Sequence, residues 1–302
     1  MIIKLFGYDG VAKLVSNIKK GMIELGHKVI NDGKCDYVYC NGKSGTELDR
    51  AIEYKRKYKT KLAAAILDLG LKQGTELEKD PKTSYGYRDK VLANADTVFA
   101  ISDFTKSQLK KYWNVDSYNI GMPSQFEPIE PLPYSRRTNS VIIVGRLHDP
   151  LKRTKLVIEA LELLDDNIEL IMVNCGLKLD YSSNIPIPQH SKVSKDELRY
   201  LISHSKALLS PSVFEGLGLP PIEALTLGTP VIVSDIPVKR GVFGGTKVMF
   251  HKPDNVNYLA NCIKMLLASP ALGSEMVKSA NELIEWYRPI NVARRIIEGM
   301  EK

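Results

Sequence analysis

The chain has 302 residues, of which 44% are apolar and 25% charged, and its formal net charge is +7. This is the composition of an ordinary globular protein, and the length accommodates two domains of about 150 residues. No apolar stretch reaches the roughly 18 residues of a membrane-spanning helix, and the first ten residues lack the features of a signal peptide. We therefore expect a cytoplasmic protein without a membrane span.

The first part of the chain alternates short apolar runs with longer amphipathic segments. The runs that predict strands are residues 2–6, 36–40, 62–67 and 96–102. Residues 11–26 carry apolar side chains at helical spacing and end at Gly26, a natural helix stop. Strands that alternate with such helices predict βαβ units and a parallel sheet.

A proline-rich segment, residues 123–139, interrupts this alternation and indicates a linker. Beyond it, further strands are predicted at residues 140–145, 168–174, 206–211 and 229–235, with a helix at 155–164. Ser194 and Glu197 have the spacing of a capping box, which predicts the start of another helix. The last forty residues are predicted to be helical, with an interruption at Pro289.

These elements predict an α/β protein with two doubly wound, Rossmann-like domains joined at about residue 135. The first domain covers residues 1–135 and the second residues 136–285. In open parallel sheets, ligands bind beyond the carboxyl ends of the strands. Two such domains placed face to face would have a cleft between their ligand-binding edges.

The segment FEGLGLPPIE, residues 214–223, is the first candidate site. Gly216 and Gly218 leave room for a ligand between a strand and a helix, and Pro221 fits the first helical position. The start of a helix binds anions such as phosphate. Glu223 then falls in the first helical turn, where a carboxylate can accept hydrogen bonds from ribose hydroxyls. An acidic residue there also complements the helix dipole, and EGLG alone is compatible with any tight turn.

The second candidate site follows the strand predicted at residues 140–145. Gly145 ends that strand, and Arg146 and Lys152 bracket the loop before the next helix. Two cations at the carboxyl end of a strand can stabilise the negative charge of a departing diphosphate. Arginine suits bidentate phosphate contact and lysine acts as a point charge. The alternative is that both side chains are solvated.

Residues 140–235 resemble the retaining glycosyltransferases of family 4. The E-x7-E motif of that family is matched by Glu215 and Glu223, and its arginine and lysine for the donor diphosphate are matched by Arg146 and Lys152. The resemblance implies the GT-B fold, in which two Rossmann-like domains face each other across a cleft. It also implies that residues 286–302 form a terminal helix that crosses back to the first domain.

The resemblance implies transfer of a hexose from a UDP- or GDP-sugar to a hydroxyl of a glycan, lipid or protein, with retention of configuration. The implied catalytic residues are Glu215, Arg146 and Lys152. The implied donor-binding residues are Glu223, Gly216, Leu217, Gly218, Gly145, Gly10, Asp68, Ser102 and His190. No metal ion or other cofactor is expected, because no D-x-D sequence occurs and GT-B enzymes generally need none.

The first domain departs from the pattern of the family at two positions. Asp9 stands where the first glycine of the glycine-rich loop is usual, while Gly10 is retained. Leu67 stands where the family often has a histidine that touches the donor sugar, and Asp68 follows it as a partial substitute. These departures keep open a first alternative to the enzyme, a nucleotide-sugar-binding scaffold without turnover. The second alternative is a polyanion-binding module.

The second alternative depends on the segment KRKYKTK, residues 55–61, which has five basic side chains in seven positions. Such a cluster can contact anionic lipid, a polyanionic acceptor or nucleic acid. It is also typical of a solvated helix end. Peripheral contact with an anionic membrane is one of the interpretations of this segment. No nucleic acid partner is expected.

Overall fold

The computed structural model describes residues 1–7, 12–41, 45–67, 71–72, 76–77, 84–164, 167–174, 180 and 183–302. The chain divides into two compact units. Unit 1 contains Met1–Gln125 together with Glu285–Lys302, and unit 2 contains Phe126–Ile284. The division lies before the predicted boundary at about residue 135 because the proline-rich segment packs within unit 2. Ile129 N–H, for example, donates to Thr226 O at 3.4 Å.

The described part of unit 1 is a parallel α/β sheet with its helices. Its strands are β1 (Ile2–Gly7), β2 (Lys28–Ile30), β3 (Tyr37–Asn41), β4 (Lys61–Ile66), the short antiparallel pair β5 (Leu71–Lys72) and β6 (Glu76–Leu77), β7 (Thr97–Ala100) and β8 (Tyr118–Asn119). Its first helices are α1 (Ala12–Glu24), α2 (Gly45–Tyr58), α3 (Ser84–Asn94) and α4 (Asp103–Trp113). The order in the main sheet is β2-β1-β3-β4-β7-β8.

The described part of unit 2 has the same architecture. Its strands are β9 (Ser140–Gly145), β10 (Glu169–Asn174), β11 (Gln189–Ser191), β12 (Ala207–Ser210), β13 (Val231–Ser234) and β14 (Met249–His251), in the order β11-β10-β9-β12-β13-β14, and all their pairings are parallel. Its helices are α5 (Thr154–Glu162), α6 (Lys195–His204), α7 (Leu219–Thr226), α8 (Pro237–Phe243), α9 (Val256–Ala268), α10 (Pro270–Ser279) and α11 (Asn281–Trp286), in which the division falls.

The last helix, α12 (Pro289–Glu301), belongs to unit 1 and closes its core. Val292 and Ile296 are fully buried in a cluster with residues of α1 and of the sheet. Each such side chain contributes about 1.5–3 kcal/mol through burial. Gly21 on α1 allows the close approach, because a Cβ atom there would lie 2.6 Å from Pro289 O. Glycine at this position therefore lets the two helices pack.

The predicted α/β fold with two Rossmann-like domains is confirmed. The strand predicted at residues 140–145 is β9, and Ser194 caps α6 by accepting the Glu197 N–H at 3.1 Å. The strands β8, β11 and β14 are only two or three residues long, which is too short for a periodic sequence pattern to predict them. Within the described ranges, no helix is both long and apolar enough to cross a membrane.

Candidate active site

The candidate site lies in unit 2, where β9, β12 and β13 end at the same edge of the parallel sheet. This is the edge at which open α/β sheets bind ligands. Gly145, the last residue of β9, has a φ of +144°, which side-chain-bearing residues rarely adopt. The chain can therefore turn sharply out of the sheet and place Arg146 just beyond its edge.

The loop that carries the two predicted cations is fixed by backbone contacts. Asp149 caps a 3-10 turn at residues 150–152 by accepting the Leu151 N–H at 3.0 Å. Leu151 O accepts the Val213 N–H at 3.0 Å, which ties this loop to the one after β12. Arg146 is mostly exposed, and its Nη2 lies 3.6 Å from Asp149 Oδ2. Its guanidinium is therefore only loosely held and faces solvent.

Lys152 and Glu215, two of the three predicted catalytic residues, are in direct contact. Lys152 Nζ donates to Glu215 Oε1 at 2.6 Å, and the side chains are only 20% and 16% exposed. Ser212 Oγ donates to the same oxygen at 2.8 Å. Charge-assisted hydrogen bonds of this length are about twice as strong as neutral ones. The cation of one predicted motif and the carboxylate of the other thus form a single site.

The glycine-rich turn leads into α7 as predicted, but the helix begins earlier than expected. It starts at Leu219 after Gly218, whose φ is +90° and which has no side chain to cap the helix. Pro221 is therefore the third helical residue, and its prediction as the first was wrong. Pro220 and Pro221 are tolerated because the first N–H groups of a helix have no intrahelical acceptor.

The earlier start also corrects the position of Glu223. The carboxylate lies beyond the first turn of α7 and is only 4% exposed. A buried carboxylate is costly unless it is hydrogen-bonded. An acidic residue that only complements the helix dipole would lie in the first turn and could stay exposed, so the dipole does not explain the burial of Glu223.

A buried lysine that no sequence motif marks is linked to Glu215 through Ser212. Lys239, on α8, is fully buried, and its Nζ is 3.0 Å from both Ser210 Oγ and Ser212 Oγ and 2.9 Å from Ser234 Oγ. It also donates to Ser210 O. Burial lowers the pKa of this lysine to about 7. Nothing in IPVKRGV distinguishes Lys239 from the exposed Arg240 beside it, so only the tertiary structure reveals this cluster.

The other predicted donor-binding residues are distributed over the chain. In unit 2, Leu217 is buried, and His190 lies on β11 with Nδ1 3.5 Å from Glu197 Oε1. In unit 1, Ser102 is buried and caps α4 by accepting the Thr105 N–H at 3.1 Å. Its contact therefore gives it a structural role in the helix. Gly10 and Asp68 lie outside the described residues.

The fold and this strand edge define a GT-B protein. Sucrose-phosphate synthase from Thermosynechococcus elongatus superposes with a TM-score of 0.77 at 15% identity, over 99% of this chain and 98% of that one. Anabaena HepE, solved with UDP and glucose, superposes with a TM-score of 0.74 at 14% identity, over 99% of both chains. At these identities the likeness shows the fold alone.

The sequence match gives the family. Residues 129–283, about half of the chain, match glycosyl transferases group 1, and the chain belongs to this family. The O-antigen chain mannosyltransferase RfbU of Salmonella typhimurium is 31% identical over 185 residues, which are 57% of this chain and 51% of that protein. The chain spans about half the length of the curated relatives it matches.

Proposed function

We propose that the protein is a retaining glycosyltransferase of the family 4 type, which moves a hexose from a nucleotide-sugar to an acceptor hydroxyl. The observation that carries the proposal is the contact between Lys152 and Glu215 at 2.6 Å. It joins the cation proposed for the donor diphosphate and the first carboxylate of the proposed E-x7-E motif at one strand edge. Both residues lie within the segment that matches the family.

In the proposed reaction, the bond between the anomeric carbon and the donor diphosphate breaks, and a bond from that carbon to the acceptor oxygen forms. Negative charge develops on the departing diphosphate, and Arg146 and Lys152 stabilise it. The turn at Gly216–Gly218 and the start of α7 give the diphosphate close access to the backbone. These cations neutralise the negative charge that a metal ion would otherwise neutralise, so we propose that transfer needs no metal or cofactor.

The two glutamates have different proposed roles. Glu215 orients the sugar hydroxyls and adds a negative field as positive charge builds on the ring. Glu223 accepts hydrogen bonds from the nucleotide ribose. The acceptor hydroxyl attacks from the side of the leaving group, and its proton passes to the departing phosphate oxygen, which gives retention. Lys152 donates to Glu215, so this carboxylate is held at a fixed position in the site.

We propose mannose as the transferred hexose and a growing glycan as the acceptor. The support is the similarity to RfbU, whose name describes a mannosyltransferase of the O-antigen chain. The nucleotide is UDP or GDP; HepE, which shares the fold, was solved with UDP. Both assignments are proposals, because the matched segment of RfbU is about half of that protein.

The experiment that tests the proposal measures release of nucleoside diphosphate from a panel of UDP- and GDP-sugars, with saccharide acceptors present. We expect release with one donor, a product with the anomeric configuration of that donor by NMR, and loss of release in Glu215→Gln. The matched control is Glu159→Gln, because Glu159 lies on α5 and its carboxylate pairs with Lys155, whose side chain is 81% exposed. Donor binding without release in the wild type would instead favour the nucleotide-sugar-binding scaffold.

We also propose that the segment at residues 55–61 makes peripheral contact with an anionic membrane. Arg56, Lys57, Lys59 and Lys61 are exposed, whereas Lys55 pairs with Asp96 at 2.7 Å. Each exposed basic residue near an anionic surface contributes about 1 kcal/mol. Co-sedimentation with phosphatidylserine vesicles should fall when the four exposed residues are replaced by Gln. Equal sedimentation of both forms would contradict the contact.

A further inference from the structure

The buried Lys239 cluster is connected to Glu215 by one hydroxyl. Lys239 Nζ lies 3.0 Å from Ser212 Oγ, and Ser212 Oγ donates its hydrogen to Glu215 Oε1 at 2.8 Å. The single hydrogen of Ser212 is therefore used on the carboxylate. Its oxygen can then only accept, so Lys239 must be the donor in their contact. The chain of donation runs from Lys239 through Ser212 to Glu215.

The neighbouring hydroxyl fixes the same direction. Ser234 Oγ donates to Ser212 O, so Ser234 too can only accept from Lys239. Two of the donors on Lys239 are thus committed to Ser212, in the loop after β12, and to Ser234, at the end of β13. A third can reach Ser210 O. The lysine cross-links β12, β13 and the loop between β12 and α7.

Burial of a lysine costs free energy, and an apolar side chain at this position would stabilise the fold without that cost. Well-packed apolar residues often replace buried charged groups without loss of stability. Two charged groups act on Lys239 electrostatically: Glu215 favours its protonated form, and Lys152 opposes it. His251 is also buried nearby. Burial and, to a smaller extent, the charge of Lys239 lower its pKa to about 4, so His251 is neutral at pH 7.

We propose that Lys239 is a positioning residue for the transfer reaction: through Ser212 it holds the Glu215 carboxylate in the orientation that the donor sugar requires. The inference rests on the proposed function of this site. Lys239 does not touch the substrate. Two groups donate to Glu215 Oε1, the Lys152 ammonium and the Ser212 hydroxyl, and Lys239 holds the second. Displacement of a reacting group by about 1 Å can reduce the rate a hundredfold.

The first measurement separates positioning from donor binding. In Lys239→Met we expect kcat for sugar transfer to fall about 10- to 100-fold, while KM for the donor stays within about twofold, because Arg146 and Lys152 are untouched. Ser212→Ala should give a similar loss, and the double variant should be no slower than the slower single variant. Multiplicative losses, or an unchanged kcat in Lys239→Met, would overturn the inference. Lys264→Met, at an exposed position on α9, is the matched control.

The second measurement needs no activity, and it separates failure of this inference from failure of the proposed function. The change in Tm caused by Glu215→Gln is measured in wild type and in Lys239→Met. If the two groups are coupled through Ser212, the changes in Tm differ between backgrounds by about 3–5 °C, the shift that corresponds to a tenfold change in the unfolding equilibrium of a domain of this size. Additive changes would overturn the inference, whether or not the wild type transfers sugar.

The control for the second measurement is Glu159→Gln, which should change Tm equally in both backgrounds. A wild type that consumes no donor, combined with coupled Tm changes, would contradict the proposed transfer but keep the link between Lys239 and Glu215. A wild type that is active, combined with additive changes and an unaffected kcat, would contradict the link alone. The two failures are therefore distinguishable.

Discussion

Replacement of Lys152 by alanine removes the cation from the centre of the site. Its Nζ donates to Glu215 Oε1 at 2.6 Å, and four fifths of each side chain is shielded from solvent. A hydrogen bond to a charged group contributes about 1.5–3 kcal/mol, and Glu215 keeps its bond from Ser212 at 2.8 Å. We therefore expect a loss of about 1–2 kcal/mol, or a few degrees in Tm for a domain of about 150 residues.

The effect of Lys152→Ala on catalysis should be larger than its effect on stability. Removal of one fixed group that stabilises developing negative charge typically reduces kcat by about 10²- to 10³-fold. The assay is release of nucleoside diphosphate, with Tm measured on the same samples. The matched control, Lys155→Ala, removes an 81%-exposed cation that pairs with Glu159 one turn away, which contributes about 0.3–0.5 kcal/mol. Equal activity of the two variants would refute the role of Lys152.

Three further predictions concern stability. The pKa of Lys239 is lowered to about 7 in the folded chain. Between pH 7 and about 10 this lysine is therefore protonated in the unfolded chain and mostly neutral in the folded chain. The free energy of unfolding of wild type relative to Lys239→Met should therefore rise with pH, by at most about 1.4 kcal/mol per unit, in denaturant titrations; a flat difference would contradict this. Gly218→Ala, at a φ of +90°, should lower stability by about 1–2 kcal/mol and weaken donor binding, whereas Gly241→Ala, with open space around it, should do neither. Gly21→Ala should destabilise unit 1 by about 1–3 kcal/mol, because the added Cβ overpacks against Pro289, and should therefore lower its Tm; an unchanged Tm would contradict the packing of α12 on α1.

Elements with long apolar runs could be predicted well from the sequence. The run SVIIVG gives β9 at its predicted bounds because a strand covered on both faces is apolar throughout. The start of α7 was harder to place, because two consecutive prolines fit several of the first helical positions. The outcome depends on Gly218, whose positive φ cannot be read from the sequence. A shift of two residues moved Glu223 out of the first turn and into the interior.

The candidate site could be predicted only in part. Arg146, Lys152, Glu215 and Glu223 were singled out by residue type and spacing, and Lys152 and Glu215 prove to be in contact. Lys239 could not be predicted, because it stands beside Arg240 on the short helix α8 and only the structure shows which of the two is buried. Its environment is set by serines on two strands and a loop, which are up to 29 residues away in the sequence. The periodicity of apolar residues within one helix does not show which distant side chains surround Lys239.

The proposed function requires that unit 2 binds a nucleotide-sugar at the strand edge formed by β9 and β12. Calorimetric titration with UDP- and GDP-sugars tests it most directly, since it needs no acceptor. We expect one donor to bind to wild type and to Arg199→Ala, whose replaced side chain is exposed on α6, and to bind about tenfold more weakly to Arg146→Ala, the loss of about one charged hydrogen bond. Absence of binding by every donor, or equal binding by all three proteins, would contradict the claim.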